Sequence, residues 1–267
     1  MILPASFALG IVIILASVGM LISRPQTPIP TLSPTVTPKP IAKLSGLSRL
    51  FNLSNWKLTL PTGSSGKPAE IRQPVLNTYR LEPWFIPGSD ALRFRAPVNG
   101  ATTGGSKYPR SELREMTNNG TANASWTSFW GTHTLFLDEA ITAVPKTKQH
   151  VVAGQIHDAN DDIIVIRLEY PNLYVNADGK NVYTLDSGYT LGKRFTIKFV
   201  VKTGETEVYY NNNSKPVYTL SKDYSGAYFK AGAYIQSNCT KESSEGCNAD
   251  NFGEVLIYQA DITHDLS

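Results

Sequence analysis

The sequence predicts an all-β sandwich of the jelly-roll type. Almost every apolar run alternates with the period of 2 that belongs to a strand, not the 3.6 of a helix. The runs are short, rich in Val, Ile, Thr and aromatic residues, and separated by Gly, Asn, Asp and Pro, as strands and turns are. No internal repeat is visible, which disfavours propellers and solenoids. With 267 residues, 41% of them hydrophobic, the chain can build one large domain with a substantial core. Its formal net charge of +3 comes without any Lys/Arg-rich run or nucleic-acid motif. No nucleic-acid partner is therefore expected, and whatever cationic character matters is local.

The chain opens with an uncharged stretch, Ile2 to Ile22, and Arg24 is its first charged residue. Such a run suits a membrane-spanning helix or the core of a long signal peptide. No Lys or Arg precedes it and no small-x-small cleavage site stands before Arg24. Residues 1–23 are thus expected to be either a signal peptide or a membrane anchor, and both stay open. The following RPQTPIPTLSPTVTPKP makes 24–46 an extended Pro/Thr-rich linker suited to O-glycosylation. The folded domain is then 47–267, secreted or held at the cell surface, and expected to be a monomer. Cys239 and Cys247, the 2 cysteines, lie in a loop rich in Ser, Asn and Glu. In an exported chain that spacing predicts a disulfide stapling the loop. No His follows at ligand spacing, so a structural zinc site is not expected.

Taken in order, LSNWKLTL (Leu53 to Leu60) reads as a strand stopped by Pro61-Thr62-Gly63. From Gly66 to Gly88 the sequence is irregular and ends in Trp84-Phe85. Ala91 to Ala96 alternates Leu92 and Phe94 against Arg93 and Arg95, and a glycine-rich loop, NGATTGG, leads on to Pro109. Ser125 to Leu137, Val151 to His157, Ile163 to Glu169, Leu173 to Val175 and Arg194 to Lys202 read as further strands. Glu205 to Tyr210 and Phe252 to Ile262 complete the set. A curved sandwich of this kind has a covered convex face and a concave face free to hold an elongated ligand.

Three stretches have polar faces that suit such a surface. In YFKAGAYIQ, Tyr228 to Gln236, one parity is wholly apolar, while the other carries Tyr228, Lys230, Gly232, Tyr234 and Gln236. An ordinary amphipathic strand with aromatic cross-strand pairs would show the same alternation. A groove-lining strand would also, with Gly232 leaving room for a sugar ring. In RSELR, Arg110, Glu112 and Arg114 share a face. A surface salt-bridge ladder accounts for that pattern, and so does a pair of guanidiniums held ready for a ligand carboxylate. In QIH, Gln155 and His157 share a face opposite Ile156. His133 has no comparable companions and reads as structural; Asp158, Asp161 and Asp162 lack EF-hand spacing and read as turn residues.

The residue types discriminate between chemistries. A glycosidase needs two carboxylates about the glycosidic bond, and a serine hydrolase needs an elbow such as G-x-S-x-G. Neither pattern appears. Arg, Gln, His, Lys and Tyr suit β-elimination on a uronic acid, whose C5 proton lies α to a carboxylate. Donors aimed at that carboxylate stabilise the enolate-like charge of the transition state. A tyrosine among cations can then take the C5 proton and protonate the departing O4. Side-chain donors do this without a metal or cofactor.

RSELR, QIH and YFKAGAYIQ resemble, in order and spacing, the three signature blocks of the alginate lyases of polysaccharide lyase family 7. The opening FNLSNWKLTLPTG and the closing LIYQADITH are similar to that family's two ends, so the likeness spans 47–267. The resemblance implies a concanavalin A-like jelly roll whose concave groove binds alginate, an acidic polysaccharide of mannuronate and guluronate. It implies cleavage by β-elimination that leaves a 4-deoxy unsaturated uronate end. Carried over, Arg110 and Gln155 neutralise the substrate carboxylate, with His157 assisting or serving as base for one epimer. Tyr234 becomes the general acid and usual base. Arg114, Lys230 and Gln236 line subsites, Glu112 orients the arginines, and Tyr228 touches substrate or supports the sheet. Ile156 in the middle block correlates in the family with guluronate-containing blocks. A lyase for another polyuronate, such as glucuronan, and a non-catalytic glycan-binding module are the alternatives.

Overall fold

The computed structural model describes residues 51–266, so the expected leader and Pro/Thr linker lie outside the described residues. In chain order the strands begin with β1 (Trp56–Ser64), β2 (Lys67–Ile71), β3 (Phe85–Pro87), β4 (Leu92–Pro97), β5 (Arg110–Thr117) and β6 (Ala122–Asn123). Next come β7 (Thr132–Ala143), β8 (His150–His157), β9 (Asp162–Glu169), β10 (Asn172–Ala177) and β11 (Lys180–Asp186). The last are β12 (Phe195–Lys202), β13 (Glu205–Tyr210), β14 (Tyr218–Ser221), β15 (Tyr228–Ile235) and β16 (Phe252–Asp265). They form two antiparallel sheets. The larger has nine strands in the order β11-β10-β9-β8-β15-β5-β1-β2, with β6 paired to β5; the smaller has seven, β14-β13-β12-β7-β16-β4-β3.

One parity of each strand builds the core between the sheets. Leu113 on β5, Phe229, Ala231, Ala233 and Ile235 on β15 and Ile156 on β8 are buried, and so are Phe94, Leu135, Leu137 and Phe199 from the facing sheet. Each large side chain so buried contributes roughly 1.5–3 kcal/mol. The opposite parity of β1, β5, β15 and β8 is left pointing away from the core, on four adjacent strands.

Several boundaries differ from the sequence expectation. β1 does not stop at Pro61; it runs on to Ser64, because Pro61 falls in a register irregularity between Thr59 and Gly63 where no ladder bond is needed. The stretch from Ser125 to Gly131 is not strand: Trp126 makes a single bridge to Ala227, and β7 starts only at Thr132. The edge strand β11 was invisible to pattern, since its residues are mostly exposed and carry no alternation. Gly232 is also reassigned. Its φ of 138° places it where L side chains are strained, and a Cβ there would lie 2.6 Å from the Ser111 carbonyl and 3.2 Å from Phe94. The glycine serves a bulge against β8 and close approach to β5, not space for a sugar ring.

Cys239 and Cys247 are joined, as expected. The loop they close is held further by Glu242, which accepts from Ser237 Oγ, Asn251 Nδ2 and the backbone N–H groups of Thr147 and Lys148. His133 is buried in a structural chain. Its Nε2 faces the Trp130 carbonyl at 2.9 Å and its Nδ1 lies 2.7 Å from Nδ1 of His264. His264 in turn contacts Glu115 at 2.6 Å, tying β16 to β5.

Glu139 on β7 is fully buried, and neither carboxyl oxygen has a partner among the described residues. Burial, with a smaller push from Asp138, raises its pKa to about 8. The folded state therefore carries it protonated, whereas the unfolded chain ionises it at the ordinary glutamate value of 4.5. Stability from this group is intact below 4.5 and is lost as pH rises towards 8. Glu139→Met should consequently raise the thermal midpoint at pH 8 by several degrees more than at pH 4, a range set by typical ΔΔG-to-midpoint scaling. Melting curves at the two pH values check this, and an equal effect at both would contradict it.

Candidate active site

Strand pairing assembles a polar row across the larger sheet. Lys57 on β1 pairs with Arg114 on β5, Arg114 with Lys230 on β15, and Lys230 with Gln155 on β8. A second row sets Thr59 against Glu112 and Glu112 against Gly232. Neighbouring strands lie about 4.8 Å apart, so side chains far apart in sequence become adjacent. Lys57, Thr59, Arg114, Lys230 and Gln155 line an open cleft of about 340 Å³ with Arg110, His157, Tyr228, Tyr234, Ser106 and Asp162 among its walls.

Glu112 sits beneath this cleft, 1% exposed. Its Oε2 accepts from Lys230 Nζ at 2.5 Å and from Arg110 at 3.3 Å, and its Oε1 accepts from Gln155 Nε2. Burial by itself raises the Glu112 pKa. The Lys230 and Arg110 charges and the hydrogen bonds from Lys230 and Gln155 outweigh that and hold it below the usual glutamate value. For Lys230, burial first and then the Arg110 guanidinium bring the pKa down to about 8, against the pull of Glu112. Cations exceed the single carboxylate among these four groups. The surplus suits a bound anion. Gln155 keeps a second N–H, and among the described residues neither its Oε1 nor Nε of Arg110 has a partner.

Two titratable groups flank that floor. The Tyr234 ring carries the Arg110 guanidinium over its face at 3.7 Å, and its hydroxyl lies 2.8 Å from Ser106 Oγ. His157 contacts the Asp158 carbonyl through Nδ1 at 2.6 Å. A carbonyl only accepts, so Nδ1 carries the proton and Nε2 is left as a bare base. Burial, then the Lys230 and Arg110 charges, lower the His157 pKa despite the opposing Asp158 bond and Glu112. Tyr228 stacks on His157 at 5.4 Å and lies under Arg114 at 3.9 Å.

Eight of the nine sequence-derived residues converge on this place: Arg110, Glu112, Arg114, Gln155, His157, Tyr228, Lys230 and Tyr234. Gln236 does not join the cleft lining. β15 ends at Ile235, and the Gln236 N–H donates to the His150 carbonyl while its side-chain amide donates back to Ile235 O. Asp158 and Asp161 behave as turn residues; Asp158 Oδ1 accepts the N–H groups of Asn160 and Asp161. Sequence reasoning missed Lys57, Thr59 and Ser106. The first two alternate with Trp56, Leu58 and Leu60, a readable signal, whereas nothing in the loop marks Ser106.

The family model for alginate lyase matches residues 51–264. The chain belongs to the alginate lyases of polysaccharide lyase family 7. It is therefore an enzyme, a polysaccharide lyase, with the jelly-roll sandwich its sequence predicted. Among solved structures, an alginate lyase from Corynebacterium sp. is 46% identical over 82% of this chain and 98% of its own, with a TM-score of 0.77. The family 7 alginate lyase AlgAT5 is 48% identical over 82% of this chain and 99% of its own, TM-score 0.76. More distant is the family 7 enzyme A1-II′, crystallised as a tyrosine-to-phenylalanine variant in complex with a GGG product. It is 25% identical over 81% of this chain and 98% of its own, TM-score 0.66. The curated proteins contain no match.

Removing Glu112 tests the floor of this alginate lyase. Glu112→Ala leaves Lys230 and Arg110 buried without their carboxylate, and breaking a buried pair in this way costs roughly 3–5 kcal/mol. Denaturant unfolding measures it. A loss below about 1 kcal/mol, the worth of an exposed ion pair, would show that the carboxylate does not anchor the site.

Proposed function

We propose that the enzyme cleaves alginate at guluronate-containing or mixed blocks, by β-elimination, from a secreted or surface-tethered position. The observation that supports the mechanism is the convergence of Arg110, Lys230 and Gln155 in one cleft with the proton carriers Tyr234 and His157. The substrate carboxylate docks on the free donors of Arg110 and Gln155, where developing negative charge on the C5 carboxylate is stabilised. A base removes the C5 proton, the C4–O4 bond breaks, a C4=C5 double bond forms, and Tyr234 protonates O4. The product carries an unsaturated uronate at its new non-reducing end.

Mannuronate and guluronate differ in configuration at C5, so the face from which the proton leaves differs. A site with two carriers can serve both: Tyr234 as acid and base for one epimer, His157 Nε2 as base with Tyr234 as acid for the other. Ile156 supports the guluronate preference through the family correlation alone. Its side chain is buried in the core, so any influence passes through the placing of Gln155 and His157 on either side. Arg114, Lys57 and Tyr228 then hold neighbouring sugars.

Incubation with polyguluronate, polymannuronate and glucuronan, with chelator present, separates the readings by the ultraviolet absorbance of the unsaturated product. Fastest turnover is expected on polyguluronate or mixed polymer, unaffected by chelator. Faster turnover on polymannuronate would overturn the preference, and chelator-sensitive turnover would overturn the cofactor-free mechanism. The pH dependence follows from His157. Its pKa lies below the ordinary 6.5, so protonation of Nε2 is centred below that pH. The acid limb of turnover on polyguluronate should be centred below pH 6.5; a pH–rate profile whose acid limb is centred above 6.5 would contradict His157 as the base.

A further inference from the structure

We propose that Ser106 is a positioning residue that holds the Tyr234 hydroxyl in both of its protonation states. The inference rests on the reading of Tyr234 as proton carrier given above. Ser106 Oγ lies 2.8 Å from the Tyr234 hydroxyl. It also accepts the backbone N–H of Tyr108 at 3.1 Å and faces the Tyr108 carbonyl at 3.5 Å. A serine hydroxyl has one proton to give and two lone pairs to receive with. Here each has a partner. While the phenol keeps its proton it donates to Oγ, and the serine proton turns towards the Tyr108 carbonyl. Once the phenol has given its proton to O4, it can only accept, and the serine proton rotates onto it. A hydrogen bond to a phenolate is charge-assisted, and stronger than the one it replaces.

The loop bearing Ser106 is built to present it. Ala101 N–H donates to Pro61 O at 2.8 Å, Gly66 N–H to Thr102 O at 2.9 Å, and Ser106 N–H to Thr103 O at 3.2 Å. Beyond the serine, Asn238 Nδ2 donates to Lys107 O at 2.9 Å, joining the loop to the disulfide-closed segment. The ring of Tyr234 is thus held by Arg110 over its face and by Ser106 at its hydroxyl. Tyr234 and Arg110 come from strands of the sheet, but Ser106 comes from a loop outside it, so the contact sets how that loop and the sheet meet in the cleft.

The test uses the full chain with polyguluronate and four variants. Ser106→Ala should lower kcat by about ten- to a hundredfold, the worth of a hydrogen bond to a charged group, with little change in KM. Ser106→Thr, which keeps the hydroxyl, should restore most of the loss. Tyr234→Phe should lower kcat by at least about a hundredfold, as a lost general acid does. Adding Ser106→Ala to it should cost nothing more, because the two act through one hydrogen bond. Wild-type kcat in Ser106→Ala beside an inactive Tyr234→Phe would overturn the role of Ser106 and leave Tyr234 standing. A purely KM effect, or no rescue by threonine, would overturn it likewise. Active Tyr234→Phe would instead overturn the reading of Tyr234 on which it rests.

Discussion

The candidate active site is built around a buried carboxylate. Glu112, buried beneath the cleft, collects Lys230, Arg110 and Gln155 from its own strand and two others. Three donors converge on one small anion at the base of the cleft. The arrangement is electrostatically incomplete by design of charge count. Burial first, and then the neighbouring guanidiniums, bring the Lys230 pKa down against the pull of a single glutamate, while that of Glu112 falls as well. On the mechanism proposed above, a second carboxylate, delivered by a polyuronate, supplies the missing counter-charge. Exposed lysines and arginines would attract the same polymer, but water would screen them; burial makes the attraction selective for a group that can enter the cleft.

Backbone geometry is what allows four strands to present these groups at one depth. The rows Lys57–Arg114–Lys230–Gln155 and Thr59–Glu112–Gly232 are consequences of antiparallel register, each strand adding one residue. Gly232 bends β15 against β8 between Ala231 and Tyr234 while its pairing with β5 stays regular. Tyr234 therefore remains opposite Arg110, close enough for the guanidinium to lie on its ring. The core parity of the same strands, Leu113, Phe229, Ala231 and Ile235, makes this register costly to shift, because a one-residue slip would turn the apolar set outward.

Much of this was legible beforehand, for a physical reason. Alternation in RSELR, QIH and YFKAGAYIQ reports directly which side chains leave the core, since a strand repeats every two residues. Gln236 shows where that logic fails. It has the right parity for the cleft, yet the strand stops at Ile235 and its side-chain amide turns back to the Ile235 carbonyl, so parity beyond the strand end does not place the side chain. Lys57 and Thr59 were readable by the same rule as their neighbours Trp56 and Leu58, and simply carried no motif. Pro61 misled in the other direction. A proline argues against a strand only where the ladder needs its N–H, and an irregular register removes that need.

By itself, the sequence determined the sandwich, the three polar-faced strands, the disulfide and the kind of chemistry, because each is encoded in local alternation, residue type or spacing. Tertiary structure alone decided which of those faces meet. It put Glu112 under Lys230 rather than at the surface, bared Nε2 of His157 through the Asp158 carbonyl, and brought Ser106 from a distant loop to the Tyr234 hydroxyl. Those contacts join residues up to 128 positions apart, and separation of that size leaves no periodicity for a sequence to carry.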